Sequence, residues 1–264
     1  MYVRTVITAL AVAVLAGAVP AETPRFMLEL EAGPAWQTRN DVQIPNDETA
    51  DRFSLIDVLG KGPWPAARLY FTWNINNRHG LRLLLAPLSV TETGTLPAQT
   101  RFQGETYPAD APVEATYKFN SYRLTYRYRY YDNERFTGWV GFTAKIRDAK
   151  IELDWAGPAA RLAAEDPASL TEAHSKKTDL GFVPLLHLAG DYRFADRWHG
   201  LFDVDALAGG PGRAIDGTVK LGYDINDDWT VSGGYRTVEG GADVDSVYNF
   251  AWIHYAVLAL QYGF

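Results

Sequence analysis

From Phe26 to the C-terminus the chain alternates apolar and polar positions at a period of two, in runs parted by stretches rich in Gly, Asn and Asp. The sharpest separation falls at 121–130. Tyr122, Leu124, Tyr126, Tyr128 and Tyr130 take one face there, and Ser121, Arg123, Thr125, Arg127 and Arg129 take the other. A helix, turning about 100° per residue, would scatter these side chains around its circumference, so the run is a strand. The closing run, Tyr248 to Phe264, sets Phe250, Trp252, Ala256, Leu258, Leu260, Tyr262 and Phe264 against Ala251, Ile253, Tyr255, Val257, Ala259 and Gln261, with His254 the one polar residue on the first face.

The same alternation predicts strands at Phe26–Trp36, Trp64–Ile75, Leu81–Leu85, Phe136–Leu153, Leu180–Arg193, Trp198–Ala208, around Val219–Asp224 and at Trp229–Arg236, ten in all with the two above. The phase of Phe136–Leu153 slips near Asp148, which predicts a bulge, and Pro184 sits awkwardly in a run that needs its backbone donors. Connections alternate in length. Long polar ones span 37–62, 91–116 and 155–176, the last with room for a short surface helix at Ala159–Ala173; short turns fall at 76–80, 132–135, 195–197 and 226–228. An even number of strands returns the C-terminus beside the N-terminus, so the first and last can pair and leave no edge. Counts of eight and twelve stay open, because Phe53–Leu59 and Arg101–Thr116 read either way.

Met1-Tyr-Val-Arg4, the apolar run Val6–Ala18 and Val19-Pro20-Ala21 read as a secretory signal removed after residue 21, leaving 22–264 as one domain. Beyond it no stretch is long and apolar enough for a spanning helix, so any crossing of a membrane must use closed strands. The chain has no Cys, which excludes disulfide stapling and a lipid-bearing Cys. Without Arg4 it carries 24 Lys and Arg against 32 Asp and Glu, a balance that disfavours nucleic acid as a partner. With Leu260, Tyr262 and a terminal Phe264 at alternate positions, the last strand resembles that of bacterial outer-membrane β-barrels. The fold expected is therefore all-β, a transmembrane antiparallel up-and-down barrel in the outer membrane of a Gram-negative bacterium. The resemblance implies a monomer, with membrane lipids and lipopolysaccharide as neighbours and the barrel-assembly machinery engaging the C-terminal strand. Trp73, Tyr128, Tyr130, Trp198, Trp229, Tyr262 and Phe264 cluster beside the short turns, as a belt of rings at one membrane boundary would. A soluble barrel of the lipocalin kind would need the aromatic face inside, where those rings would overfill it.

Alternation sends a charged set inward. Arg68, Arg82, Arg123, Arg127, Arg129, Lys145 and Arg147 come from strands two to five, and Asp191, Asp203, Asp205, Asp216 and Asp224 from strands six to eight, so a basic wall faces an acidic one. If the walls meet, the bore is plugged by a structural salt-bridge lattice; if they stay apart, a narrow slot passes small solutes. A hydrolase is the rival reading, since some outer-membrane barrels use Asp and His at the outer rim or His and Ser facing lipid. Asp203 and Asp205 with His187 on the neighbouring strand, and His174-Ser175, Glu239, Asp243 and Asp245 in the outer connections, are the candidate groups, without the local motif of those families. His254 is aimed at lipid and is expected to snorkel. No phosphate-cradling loop, metal framework or cofactor motif is present, so no catalytic residue, metal or cofactor is assigned.

Overall fold

The computed structural model describes residues 24–156, 172–210 and 212–264. The expected signal segment and the Ala159–Ala173 helix therefore fall wholly or largely outside the described residues. In chain order the elements are β1 (Phe26–Gln43), β2 (Phe53–Ser54), α1 (Ile56–Leu59), β3 (Trp64–Asn74), β4 (His79–Ala86), β5 (Ser89–Thr95), β6 (Thr100–Phe102), β7 (Glu105–Tyr107), β8 (Pro112–Asp132), β9 (Phe136–Ala156), β10 (Glu172–Arg193), β11 (Trp198–Gly209), β12 (Gly212–Asp224), β13 (Trp229–Val244) and β14 (Val247–Gly263). β4 and β5 lie end to end along β8, broken at Pro87-Leu88, and make one stave. Ten staves then pair in sequence order, every ladder antiparallel, and β14 closes on β1 from Met27↔Gly263 to Gln43↔Tyr248. Neither ambiguous segment adds a further stave, residues 112–116 being the start of β8. Phe53–Leu59 forms a short bridge and one helical turn, and 100–107 forms the small hairpin β6–β7. That hairpin turns on Gln103 and Gly104, both at positive φ (+50° and +84°), the backbone a two-residue turn between twisted strands requires.

One end of the barrel carries tight turns with a shared device. Asn76 Oδ1 accepts from the backbone N–H of Arg78 and His79 at 2.9 Å each, Asn133 Oδ1 from Arg135 and Phe136 at 2.9 and 2.7 Å, and Asn226 Oδ1 from Asp228 and Trp229 at 3.0 and 2.8 Å. Each asparagine thus stands in for a missing backbone acceptor and fixes the reversal.

Around the middle of the wall Leu30, Leu83, Leu124, Phe142, Phe182, Leu186, Val219 and Leu258 are exposed on the outside, while Arg68, Arg123, Asp205 and Asp216 are buried inside. Toward the end with the long connections this polarity inverts. On β8 and β9, Val113, Ala115, Tyr117, Ile151 and Leu153 point inward and are buried, while Glu114, Thr116, Lys118, Glu152 and Asp154 point outward. The inversion corrects the expected bulge: the β8–β9 and β9–β10 registers run unbroken through Asp148, and only the side that holds apolar residues has changed. The irregularities lie at Gln37/Arg39 and Arg129/Tyr131. It also explains why the long connections read as polar. Much of 37–43, 89–95, 112–118 and 172–176 is strand that has risen out of the apolar zone. Pro184 faces outward opposite Ala144 of β9, two residues before Leu186, where the β10–β11 ladder begins, so it has a paired strand on one side only.

Inside the raised end the loops build a core like that of a soluble protein. Leu55, Val58 and Leu59 from α1, and Leu96, Phe102 and Tyr107 from around the hairpin, pack with Val42, Ile44, Val113, Leu153 and Ile253 of the wall. Two backbone bonds and one from a side chain pin the insert: Leu55 N–H donates to Asn40 O at 2.8 Å, Gln103 N–H to Ile44 O at 2.9 Å, and the Tyr107 hydroxyl to Leu153 O at 2.9 Å. At its surface Arg101 clasps Asp51 through its guanidinium and its backbone N–H, which holds the Asp51 carboxyl below the usual aspartate value. A carboxyl that is a stronger acid folded than unfolded contributes in full above about pH 4 and fades as pH falls through its folded value. NMR titration is therefore expected to find Asp51 below its ordinary pKa, and Arg101→Met, which keeps the backbone N–H, to move it part of the way back; an unchanged titration in the variant would remove the tie.

Candidate functional site

The bore is crossed by a lattice of ions that strand alternation supplies and barrel closure assembles. Asp216 on β12 is the hub. Its Oδ2 accepts from Arg68 Nη2 at 2.8 Å and from Arg123 Nη2 at 2.5 Å, and its Oδ1 accepts from Arg236 Nη1 at 2.5 Å, so guanidinia from β3, β8 and β13 converge on one carboxylate. Arg236 also grips Glu31 on β1 through Nε and Nη2 at 2.9 and 3.2 Å and donates to the Tyr70 hydroxyl at 2.8 Å. Arg123 continues to Asp205 at 2.8 Å, whose other oxygen accepts from Thr143 at 2.8 Å and contacts His187 Nδ1 at 2.9 Å. Arg82 takes Asp203 with two bonds, 2.6 and 3.1 Å. Nearly all of these groups are buried, and each carboxylate is met by cations or donors, the condition under which charges survive out of water.

The predicted charge set is thus only partly one network. Arg68, Arg82, Arg123, Asp203, Asp205 and Asp216 belong to it. Lys145 does not: its ammonium rests 4.7 Å from the Phe119 ring centroid. Arg147 leaves the lattice for Asp179 on β10. Arg127, Arg129, Asp191 and Asp224 line a separate space at the short-turn end, a vestibule of about 780 Å³ whose far wall includes Tyr70, Arg82, Asp203, Lys220 and Arg236. There Arg129 pairs with Asp132 at 3.0 Å, Asp191 with His199 at 2.9 Å, Asp224 with Arg193 at 2.7 Å, and Lys220 with Glu29. Glu31 was legible as an inward charge beside the seam, and Arg236 and Tyr70 as inward-facing positions that nothing local marked as lattice members. The idea of an acidic wall hid Arg236, which sits among the carboxylates.

The other candidates separate. Adjacent residues on a strand face opposite ways, so His174 points outward beside Glu152 and Asp154 while Ser175 is buried and donates to Phe102 O at 3.0 Å. Glu239 pairs with Arg213, and Asp243 accepts from Asn46. Among the described residues two groups have metal-ligand spacing, Glu152 with Asp154 and His174, and His187 with Asp203 and Asp205, the ligand atoms of each group all within 4.8 Å of one another. In the second both carboxylates are already held by Arg82 and Arg123, so a cation would have to displace arginine. His254 does not snorkel. It lies in the outer wall only 7% exposed, under Trp36 and Trp252, with Nε2 2.8 Å from Thr38 Oγ1 and Nδ1 2.5 Å from the Tyr235 hydroxyl. Neighbouring hydroxyls thus satisfy the imidazole on the apolar face. Trp73, Tyr130, Trp198, Trp229 and Phe264 are exposed on the outside near the short turns; Trp198 packs on Tyr223 at 4.9 Å and Trp229 on Tyr262 at 4.6 Å, while Tyr128 accepts from Arg78.

No model of a known protein family matches the chain, and no curated protein matches it either. Solved structures do. The outer membrane protease OmpT of Escherichia coli superposes with a TM-score of 0.52 at 9% identity, over 90% of this chain and 96% of that one. Neisserial surface protein A covers 92% of this chain and 100% of its own at 11% identity, with a TM-score of 0.40. The toluene transporter TodX of P. putida covers 92% and 91% at 11% identity and 0.38. At such identities the likeness is one of fold. A closed up-and-down barrel with an apolar skin is the outer-membrane architecture, the one form in which strands leave no backbone group unpaired in lipid.

Proposed function

We propose that this outer-membrane barrel is a closed structural protein, blind as a conduit, which shows its loop-filled end to the exterior and a water-accessible cup to the periplasm. The observation that carries the reading is the convergence of Arg68, Arg123 and Arg236 on Asp216, which ties opposite walls together. Above it the core around Leu55, Leu96, Phe102 and Tyr107 fills the mouth a second time. An open slot needs water between its charged walls, and here guanidinium and carboxylate touch. Long connections at one end and tight turns at the other set the orientation, the tight turns facing the periplasm. The aromatic rings beside those turns would then lie at the inner boundary of the membrane.

The test is electrical. Purified protein inserted in a planar bilayer is expected to give no discrete steps of current across the voltages a porin tolerates. Resolved, reproducible openings would overturn the closed reading and favour the slot. The His–Ser form of the rival hydrolase reading needs a nucleophile and a base that face each other, an arrangement the opposed directions of His174 and Ser175 do not provide.

A further inference from the structure

We propose that the vestibule at the short-turn end is a binding pocket for a small oxyanion, the carboxylate or phosphate group of a soluble periplasmic molecule, with Arg127 as its anchor. The space is of the size that takes a small molecule, about 780 Å³, and its mouth is ringed by the short turns. Most of the charges along its wall are matched: Asp132 with Arg129, Asp203 with Arg82, Asp224 with Arg193 and Glu29 with Lys220, while the Asp191 carboxylate lies against the His199 ring; the turns at the mouth add Glu134, Arg135, Asp196, Arg197, Asp227 and Asp228. Arg127 lines the same space and, among the described residues, makes no ion pair; its Nε has no hydrogen-bond partner there.

The side chain is nevertheless held. Its guanidinium carbon lies 4.5 Å from the centroid of the Trp139 ring, and Arg129 approaches the same ring at 6.0 Å. The ring supports the cation's face and leaves its hydrogen-bonding edge unspent, and a planar fork presented in this way matches two oxygens of a carboxylate or phosphate. The lattice carboxylates behind it are each taken by other cations, so none is spent on this arginine. An unpaired guanidinium at the side of a partly desolvated cup draws a soluble anion because the competing shell of water is thin there.

The experiment is calorimetric titration of the full-length mature barrel in detergent with two probes, acetate and methyl phosphate, and with glucose as the uncharged control. Saturable binding of one or both anions is expected, with glucose silent, and the stronger of the two identifies the headgroup. Arg127→Gln, which keeps the size and removes the charge, is expected to weaken that binding on the order of tenfold or more, the worth of a charge-assisted pair of hydrogen bonds. Arg78→Gln, at an exposed turn outside the cup, is expected to leave it unchanged. Folding of each variant is read from heat-modifiable gel mobility. Should Arg127→Gln fail to fold, Trp139→Leu carries the same test, since it removes the ring on which the guanidinium rests. Absence of saturable binding by the wild-type protein, or equal affinity in Arg127→Gln, would overturn the assignment.

Discussion

Replacing Asp216 with alanine is expected to cost about 3–5 kcal/mol of folding stability, the range found when one partner of a buried ionic cluster is deleted. The size follows from what is left behind. Arg68, Arg123 and Arg236 would remain buried, at 6%, 5% and 4% exposure, with Glu31 and Asp205 as the remaining carboxylates among three guanidinia. Mutual repulsion and lost hydrogen bonds then act together, because all three cations share the one hub. Asp216→Asn keeps the shape and part of the bonding and is expected to cost less. Asp227→Ala, in an exposed turn, should stay within about 0.5 kcal/mol of wild type. Denaturant unfolding of the refolded barrel in lipid or detergent reads all three. An Asp216→Ala barrel as stable as Asp227→Ala would mean that the lattice does not hold the walls together.

Placing a charge on the outer skin tests the membrane face directly. Leu124→Arg is expected to destabilise by about 2–4 kcal/mol, as for a basic residue near the middle of the hydrocarbon layer. Leu124 is 45% exposed on β8 and pairs with Leu83 and Ala144 on its flanks, so an arginine there has only lipid to face. The inward neighbour is not the mild control that alternation suggests. Thr125 is 2% exposed, and its hydroxyl lies 2.8 Å from that of Thr143 within the lattice, so Thr125→Arg would meet a filled interior. The mild comparison is Gln261→Arg, which points into the water-accessible vestibule. Equal penalties for Leu124→Arg and Gln261→Arg in unfolding from lipid vesicles would refute the assignment of inside and outside.

The facing of each strand residue was readable from the amino-acid order because it depends on a local rule. Successive side chains on an extended chain point to opposite sides, so the run Ser121–Tyr130 sorts itself without reference to the rest of the protein. The same rule, with the turn residues that interrupt it, pointed to ten staves and left eight and twelve open, because 53–59 and 101–116 lie in loops and strand ends whose place only the closed sheet decides. The rule is weaker evidence where the surroundings change along one strand. At Asp148 the alternation continues unbroken while inside and outside exchange polarity, and read without a membrane level that exchange looks like a slip of register.

Which charge meets which was beyond any such rule. Arg68, Arg123 and Arg236 reach Asp216 across 148, 93 and 20 positions of sequence, and His254 finds Thr38 across 216. Those encounters depend on the stagger of the closed sheet, the reach of each side chain and the loops that fold back into the mouth, none of which one strand contains. Alternation along the chain therefore decided that there would be a barrel with an apolar skin and a charged interior. Only closure decided that the interior would be tied shut at Asp216 and would leave Arg127 facing an open cup, because the free energy of an ion belongs to the pair and its surroundings, and those are brought together from distant parts of the chain.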